Sequence, residues 1–526
     1  MKKYKSLLEN LPEDSKQEVR DLMTKIQSGA MDSEDETKAR SYLDFLKKIP
    51  WKSKAIPQPS FRSVKRSLNK GHHGVSEIKD TIIEYLSVMK LQKDKTKVPI
   101  LLFAGPPGVG KSSLAKSISA ALKRPLQRVF LGGMEHATDL KGFAKTYVAA
   151  EPGSIMKCFI RSKCNFPVIL LDEIDKVGQL SVAESLLDVL DYEQNQHYRD
   201  HYVDMEYDLS NALFIATANN IDNIPPPLLD RMELIELPSY TFEEKKKIAR
   251  THLLPKIREE MGLSMNHMSF YKETLDSIIQ DYTMESGVRN LNQVLNKIGR
   301  KLVRQVVERK RTNRKKLISV PELRTYLGPP IYIRDSNARN LPPGTVSGLA
   351  YSYVGGSVLM IETAKYPKSG SKSELLITGL PGDMTLESSK VCMSLVKSNA
   401  EKLGISTKEI NEVDIHIHYP TCTGSGVDGP SAGGAMFIAL YSLFTGKTID
   451  SSISTTGEVD LRGNICAIGG LREKILASYR QGKKKIIIPK DNISDLRNIP
   501  TEVLHDIKVI PVSNIWELLN AFNLKV

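Results

Sequence analysis

Two short stretches of this chain carry residue types at spacings that could do chemistry. The first is "GPPGVGKS", made of Gly105, Pro106, Pro107, Gly108, Val109, Gly110, Lys111 and Ser112. It fits G-x-x-x-x-G-K-[ST] and lies between a strand-like run, "PILLFA", and a helix-like run, "SSLAKSISAALK". Glycines let backbone N–H groups curl around phosphates at a helix N-terminus, where the helix dipole also favours anions. Lys111 would reach the β- and γ-phosphates of ATP, and Ser112 would ligate Mg²⁺. Downstream, the apolar run in "PVILLDEIDK" ends in two carboxylates. Asp172 would hold the Mg²⁺, and Glu173 would polarise the attacking water. This combination predicts ATP binding and hydrolysis.

The second stretch is "VDGPSAGGAMFIALYSLF", where Ser431 stands before a glycine-rich opening to an apolar helix. Taken alone, a serine there is more often an N-cap than a nucleophile. As a nucleophile it needs a base. His416 and His418 in "DIHIHYP", with Asp428, could supply a Ser–His–Asp arrangement. Lys474 in "GGLREKILASY" offers another route, because it falls at the edge of a helical apolar face that includes Leu471 and Ile475. Burial would lower its pKa and leave a neutral amine able to take a proton. A snorkelling structural lysine is the alternative.

These residues need scaffolds. Between about 70 and 240, strand-like runs ("PILLFA", "PVILLD", "NALFIATA") alternate with helical patterns, which predicts a parallel α/β sheet. The pattern from about 242 to 327 is wholly helical. Pro and Gly punctuation in "LGPPIYIRDSNARNLPPGTVSG" then precedes a second α/β unit containing "SVLMIETA", "VDIHIHYP" and "KKIIIPK". The boundaries expected are 1–62 for an amino-terminal helical segment with Trp51 as a packing anchor, 63–241 for the ATPase, 242–328 for its helical lid and 329–526 for the last unit. The fold class is multidomain, α/β and α.

Composition excludes several classes. The 526 residues are 40% hydrophobic and 26% charged, as expected of a globular chain. No apolar run reaches the roughly 18 residues of a membrane span. Cys158, Cys164, Cys392, Cys422 and Cys466 are scattered without metal-site spacing, which suits a reducing compartment. The start is neither a signal nor a transit peptide, so a cytoplasmic protein is expected, or an organelle-matrix one if the natural chain is longer. The net charge of +13 permits nucleic-acid contact. Much of the excess lies in Gly299–Leu317, with nine Lys or Arg and one Glu. Leu302, Val303, Val306 and Val307 recur there at helical spacing, so a helix with a solvated basic face is expected before nonspecific DNA binding.

With these motifs in this order, the chain resembles the AAA+ family. The resemblance implies that Asn219 in "FIATANN" senses the γ-phosphate and its water. Arg231 in "PPPLLDRME" would be an arginine finger acting on a neighbouring subunit, and Arg289 in "ESGVRNLNQ" the second sensor on the lid. It narrows to the Lon protease family through "LLDVLDYEQN", "VDGPSAG", "TTGEVDLRG" and "IGGLREK", and covers the chain from about residue 40 to the end. The family uses a Ser–Lys dyad, which implies Ser431 as nucleophile, Lys474 as general base and Thr456 as the residue orienting the lysine. His416, His418, Asp428 and Glu362 would then shape the site. Tyr147 and Val148 match the pore loop that grips substrate; as a core residue, Tyr147 would instead be buried.

The resemblance implies an ATP- and Mg²⁺-dependent serine endopeptidase that unfolds, translocates and degrades unfolded or damaged proteins as a homo-oligomer of six, with no membrane attachment. Three features depart from the family. The large amino-terminal recognition domain is missing, Glu151 follows the pore loop, and the segments "YPTCTGSGVDGPSAG" and "TGLPGDMTLES" differ near the nucleophile. Rival readings are an unfoldase with an idle second site and a DNA-associated ATPase.

Overall fold

A computed structural model describes residues 4–52, 55–57, 59–71, 76–91, 100–147, 150–308, 317–332, 340–352, 355–368, 370, 373–420 and 428–524. The chain divides into two compact units, Met1–Pro238 and Ser239–Val526.

In the first unit, helices α1 (Glu13–Ser28) and α2 (Ser33–Leu46) precede the nucleotide-binding segment. They do not stand apart: Val19, Leu43 and Leu46 are buried in the same core as Ile169 and Phe214. The Tyr42 hydroxyl donates to the Val203 carbonyl at 2.6 Å, and the Trp51 ring meets Tyr207 edge-on at 5.7 Å. Strand β1 (Ile100–Ala104) leads into α3 (Lys111–Leu122), followed by β2 (Leu126–Phe130), β3 (Val168–Asp172), β4 (Leu213–Ala218) and β5 (Met232–Glu236). These five strands form a parallel sheet in the order β2-β3-β4-β1-β5. The three central strands are buried on both faces, so their sequences read as continuous apolar runs, not as alternations. The sheet thus aligns the carboxyl ends of β1, β3 and β4, where open α/β sheets place their ligands.

The second unit begins with lid helices. Helix α4 (Phe242–Ile248) opens with a capping box between Thr241 and Glu244, and α5 (Lys272–Asp281) follows. Helix α6 (Arg289–Val307) buries Leu291, Leu295, Ile298 and Leu302, and α7 (Val320–Leu327) has its own capping box between Ser319 and Glu322. The segment is not wholly helical, as its pattern suggested: Ser269–Phe270 and Leu317–Ile318 pair as short parallel strands. Two residues per strand are too few for alternation to register. Val303 and Val306 pack against the lid core, whereas Val307 is 76% exposed because the helix runs out there. The rest of the basic run, 309–316, lies outside the described residues.

A seven-stranded mixed sheet dominates the remainder. Its strands are β6 (Thr345–Ser352), β7 (Gly355–Pro367), β8 (Leu375–Thr378), β9 (Val413–His418), β10 (Ile453–Thr455), β11 (Lys485–Pro489) and β12 (Lys508–Val512). Their spatial order is β8-β9-β7-β6-β10-β11-β12. Three helices matter for the site: α8 (Asp383–Ser398), α9 (Gly433–Thr445) and α10 (Leu471–Arg480). Helix α9 is buried almost all round, which explains its lack of an amphipathic stripe. Among the described residues, no helix is long and apolar enough to cross a membrane.

Candidate active sites

The nucleotide site is built where β1 turns into α3. Gly105, Gly108 and Gly110 all have positive φ (147°, 83° and 97°), so side chains there would strain the loop. A Cβ on Gly105 would also lie 2.2 Å from the Leu237 carbonyl oxygen. Lys111 Nζ donates to the Pro106 carbonyl at 3.0 Å, to the Gly105 carbonyl at 2.5 Å and to Asn219 Oδ1 at 2.8 Å. Burial pushes its amine down to about 8, opposed by Asp175, Asp172 and Glu173.

Ser112 Oγ lies 3.5 Å from Asp172 Oδ1. A hydroxyl and a carboxylate are hard oxygen donors of the kind Mg²⁺ accepts beside phosphate and water, so these residues fit the ion. Glu173 is held at φ 61°, a costly conformation for a residue with a side chain, and such strain collects at functional sites. A Cβ on Gly132 would sit 2.7 Å from Glu173 Oε2, so a side chain there would crowd the carboxylate.

Three residues escaped the sequence reading. Thr217 donates through its hydroxyl to Asp172 and accepts the Glu173 N–H at 3.2 Å. The Arg128 guanidinium pairs with Asp172, and Asp175 accepts the Asn219 and Asn220 N–H groups, each at 3.1 Å. Thr217 had a signal, since it stands two residues before Asn219 in "FIATANN". Arg128 had none, because its place beside Asp172 depends on strand order.

Arg231 is exposed and bonds to Asp191 Oδ2 at 3.3 Å and to the Pro227 carbonyl at 2.8 Å. Arg289 opens α6 in the second unit. Tyr147 is 66% exposed and therefore not a core residue, while Val148 lies outside the described residues.

In the second site, Ser431 sits in a 3₁₀ turn, Pro430–Ala432, that feeds α9. The N-cap of α9 is Ala432, and no side chain caps either segment, so the Ser431 hydroxyl is not a cap. Its carbonyl accepts the Gly457 N–H at 2.9 Å and the Thr456 hydroxyl at 3.2 Å. Thr456 therefore fixes the backbone of Ser431, a different partner from the lysine the resemblance implied. The N–H groups of Gly433 and Gly434 are already engaged by the Pro430 and Gly457 carbonyls.

Lys474 is 2% exposed on α10, and burial pushes its amine down to about 8. Neutral lysine is the basic form, so a base role for Lys474 would be lost as pH falls through about 8 and gained above it. Between pH 7 and 9, kcat/KM for a short peptide should rise about tenfold. A flat profile over that range, measured with a fluorogenic peptide, would contradict this role.

Helix α8 supplies groups that the sequence reading missed. Thr385 Oγ1 donates to the Gly429 carbonyl at 3.3 Å, Ser388 Oγ to Pro430 at 3.5 Å and Cys392 Sγ to Gly433 at 3.3 Å. The small polar residues of "TLESSKVC" share one helical face, which is the signal that could have found them. His416 Nε2 and His418 Nδ1 lie 2.8 and 2.7 Å from Thr378 Oγ1. Asp428 accepts the N–H groups of Met384 (3.2 Å) and Gly429 (2.9 Å). The two histidines and Asp428 thus have other partners, which does not favour a Ser–His–Asp arrangement. Glu362 is exposed on β7, in register with His418.

Three family models match parts of the chain. Residues 101–239 match the model of the ATPase family associated with various cellular activities, and 259–316 match the Lon protease AAA+ ATPase lid domain. Residues 317–524 match the Lon protease (S16) C-terminal proteolytic domain. Together these matches cover residues 101–239 and 259–524. It is 41% identical to the Lon protease of Lawsonia intracellularis, over 97% of this chain and 61% of that protein. With the Lon protease of Methanosarcina barkeri it shares 40% identity, over 98% of this chain and 64% of that protein. The chain thus spans about three-fifths of the length of the Lon proteases it matches.

Proposed function

We propose that this chain is an ATP-dependent serine endopeptidase of the Lon type. It would work as a homo-oligomeric ring, of six subunits by resemblance, in the cytoplasm, on unfolded or damaged proteins. The observation that carries the reading is the buried, depressed amine of Lys474 in a chain that also holds a formed P-loop.

Ser431 Oγ attacks the peptide carbonyl while its proton passes to neutral Lys474, giving an acyl-enzyme. The protonated Lys474 then gives that proton to the leaving amine. Water, deprotonated by Lys474, releases the second product and restores the serine. Thr456 and the α8 hydroxyls hold the backbone around the nucleophile, and the N–H groups where the Ser431 helix begins would serve as oxyanion donors.

In the ATPase, Lys111 binds phosphate, Glu173 orients water and Asn219 reports on both. Ser112 and Asp172 would hold Mg²⁺, which neutralises phosphate charge when bound. Arg231 would serve a neighbour's nucleotide after releasing Asp191, and Arg289 would act from the lid. Tyr147 and Val148 would press on the moving chain.

This reading predicts that Tyr147→Ala lowers degradation of casein at least about tenfold and leaves cleavage of a short fluorogenic peptide unchanged. Equal losses on both substrates would contradict a gripping role. The basic face of α6 supports nonspecific DNA contact as an additional property. Affinity for duplex DNA would then fall steeply with salt.

A further inference from the structure

The helix that carries Lys474 is fastened on its other side to the start of the second unit. Ser239 is the first residue of that unit, and its N–H donates to Glu473 Oε1 at 3.0 Å. Both residues are buried, 1% and 7% exposed, and Glu473 immediately precedes Lys474. The next residue, Tyr240, donates its N–H to the Ser286 carbonyl at 3.0 Å. Glu285 beside it accepts the Asn290 and Leu291 N–H groups at 2.9 and 2.8 Å, so it caps the helix that Arg289 opens.

The turn between β6 and β7 closes the seam. A Cβ on Gly356 would lie 2.1 Å from the Glu473 carbonyl oxygen, and one on Gly355 would lie 1.7 Å from Ser286 Oγ. From the other direction, the Leu237 N–H donates to the Ala104 carbonyl at 2.7 Å, and the Leu237 carbonyl closes over Gly105 of the P-loop. Only Pro238, with its fixed φ, separates Leu237 from Ser239. The segment Leu237–Ser239 thus makes one hydrogen bond within each unit, to the residue before Gly105 in the first and to the residue before Lys474 in the second.

The seam also holds polar atoms without hydrogen-bond partners among the described residues: Glu473 Oε2, Ser239 Oγ and Arg480 Nη1. Buried polar groups left unpaired cost free energy, and such a cluster marks a place where a second arrangement can satisfy what the first does not. Arg480 Nη2 holds the Gly356 carbonyl at 3.0 Å, and Lys245 bonds to the Glu285 carbonyl, so both sides of the seam carry charge.

We propose that Glu473 is a positioning residue that ties the seat of Lys474 to the nucleotide-binding loop through the Leu237–Ser239 link. The proposal rests on the protease reading above. Coupling of this kind, between two sites through one bistable element, typically changes a rate or affinity by roughly 5- to 150-fold.

The test compares the full-length wild type with Glu473→Ala and Glu473→Gln. ATP hydrolysis is measured alongside kcat and KM for a short fluorogenic peptide, with and without Mg-ATP. Glu473→Ala should keep ATP hydrolysis within about twofold. It should lower the stimulation of kcat by Mg-ATP roughly fivefold or more, with KM unchanged. Glu473→Gln, whose amide oxygen still accepts the Ser239 N–H, should restore the stimulation. Full stimulation in Glu473→Ala, or no rescue by Gln, overturns the proposal and leaves the protease reading standing. A wild type that cleaves no peptide overturns both. Should Glu473→Ala fail to fold, amide exchange of the Ser239 segment in the wild type decides the matter. A change in protection on adding Mg-ATP supports the link, and no change overturns it.

Discussion

Ser431→Ala should abolish peptide-bond cleavage, by about 10⁴-fold or more, while ATP hydrolysis stays within about twofold of wild type. The size of the loss follows from removing the hydroxyl that the proposed mechanism uses as its nucleophile. The 3₁₀ turn at Pro430–Ala432 presents one hydroxyl, and it is not occupied in capping α9. Its backbone is held by Thr456, Gly457 and the polar face of α8, so the alanine variant should keep the turn's shape and lose only the nucleophile. Lys111, Ser112, Asp172, Glu173 and Asn219 belong to a different unit with its own core, which is why ATP hydrolysis should persist. Cleavage of casein and of a short peptide by the variant checks this. Residual cleavage above about 1% of wild type would point to a different nucleophile.

Lys111→Ala should have the opposite signature. Its ammonium is held by two P-loop carbonyls and Asn219, which aims it at the place where nucleotide phosphates would lie. Removing a preorganised donor from a charged transition state costs about 10² to 10³ in rate. ATP hydrolysis should therefore fall at least about 100-fold, and casein degradation with it. Nucleotide-free cleavage of a short peptide should survive, because the proposed cleavage chemistry runs through Ser431 and Lys474 and not through the P-loop. A variant that still degrades casein at the wild-type rate would separate the two sites and refute the coupling.

Much of both sites was legible because it is local in sequence. The P-loop fixes its own geometry through three positive-φ glycines and the helix that follows, so a strand–loop–helix pattern was enough to place Lys111 and Ser112. Asp172 and Glu173 end a buried strand, where an apolar run meeting two acids leaves few other readings. What was not legible depends on which elements become neighbours. Arg128 reaches Asp172 only because β2 lies beside β3, and Thr385, Ser388 and Cys392 reach the backbone on either side of Ser431 only because α8 lies against its turn.

Thr456 shows the limit of resemblance. The resemblance implied that Thr456 orients the lysine, and its hydroxyl bonds to the Ser431 carbonyl. Lys474 was placed at the edge of an apolar face and lies deeper, 2% exposed, because α10 has neighbours on both sides. Glu473 carried no sequence signal at all. An acid beside a lysine on a helix normally points to solvent, and only the packing of the Ser239 segment turns it inward.

The central claim is that one chain uses ATP hydrolysis to drive proteolysis. Casein digestion by wild type and Glu173→Gln, each with and without Mg-ATP, tests it most directly. The account predicts rapid digestion only by wild type with Mg-ATP, and near-background digestion in the other three reactions. Equal digestion by wild type with and without nucleotide, or by Glu173→Gln with Mg-ATP, would contradict it.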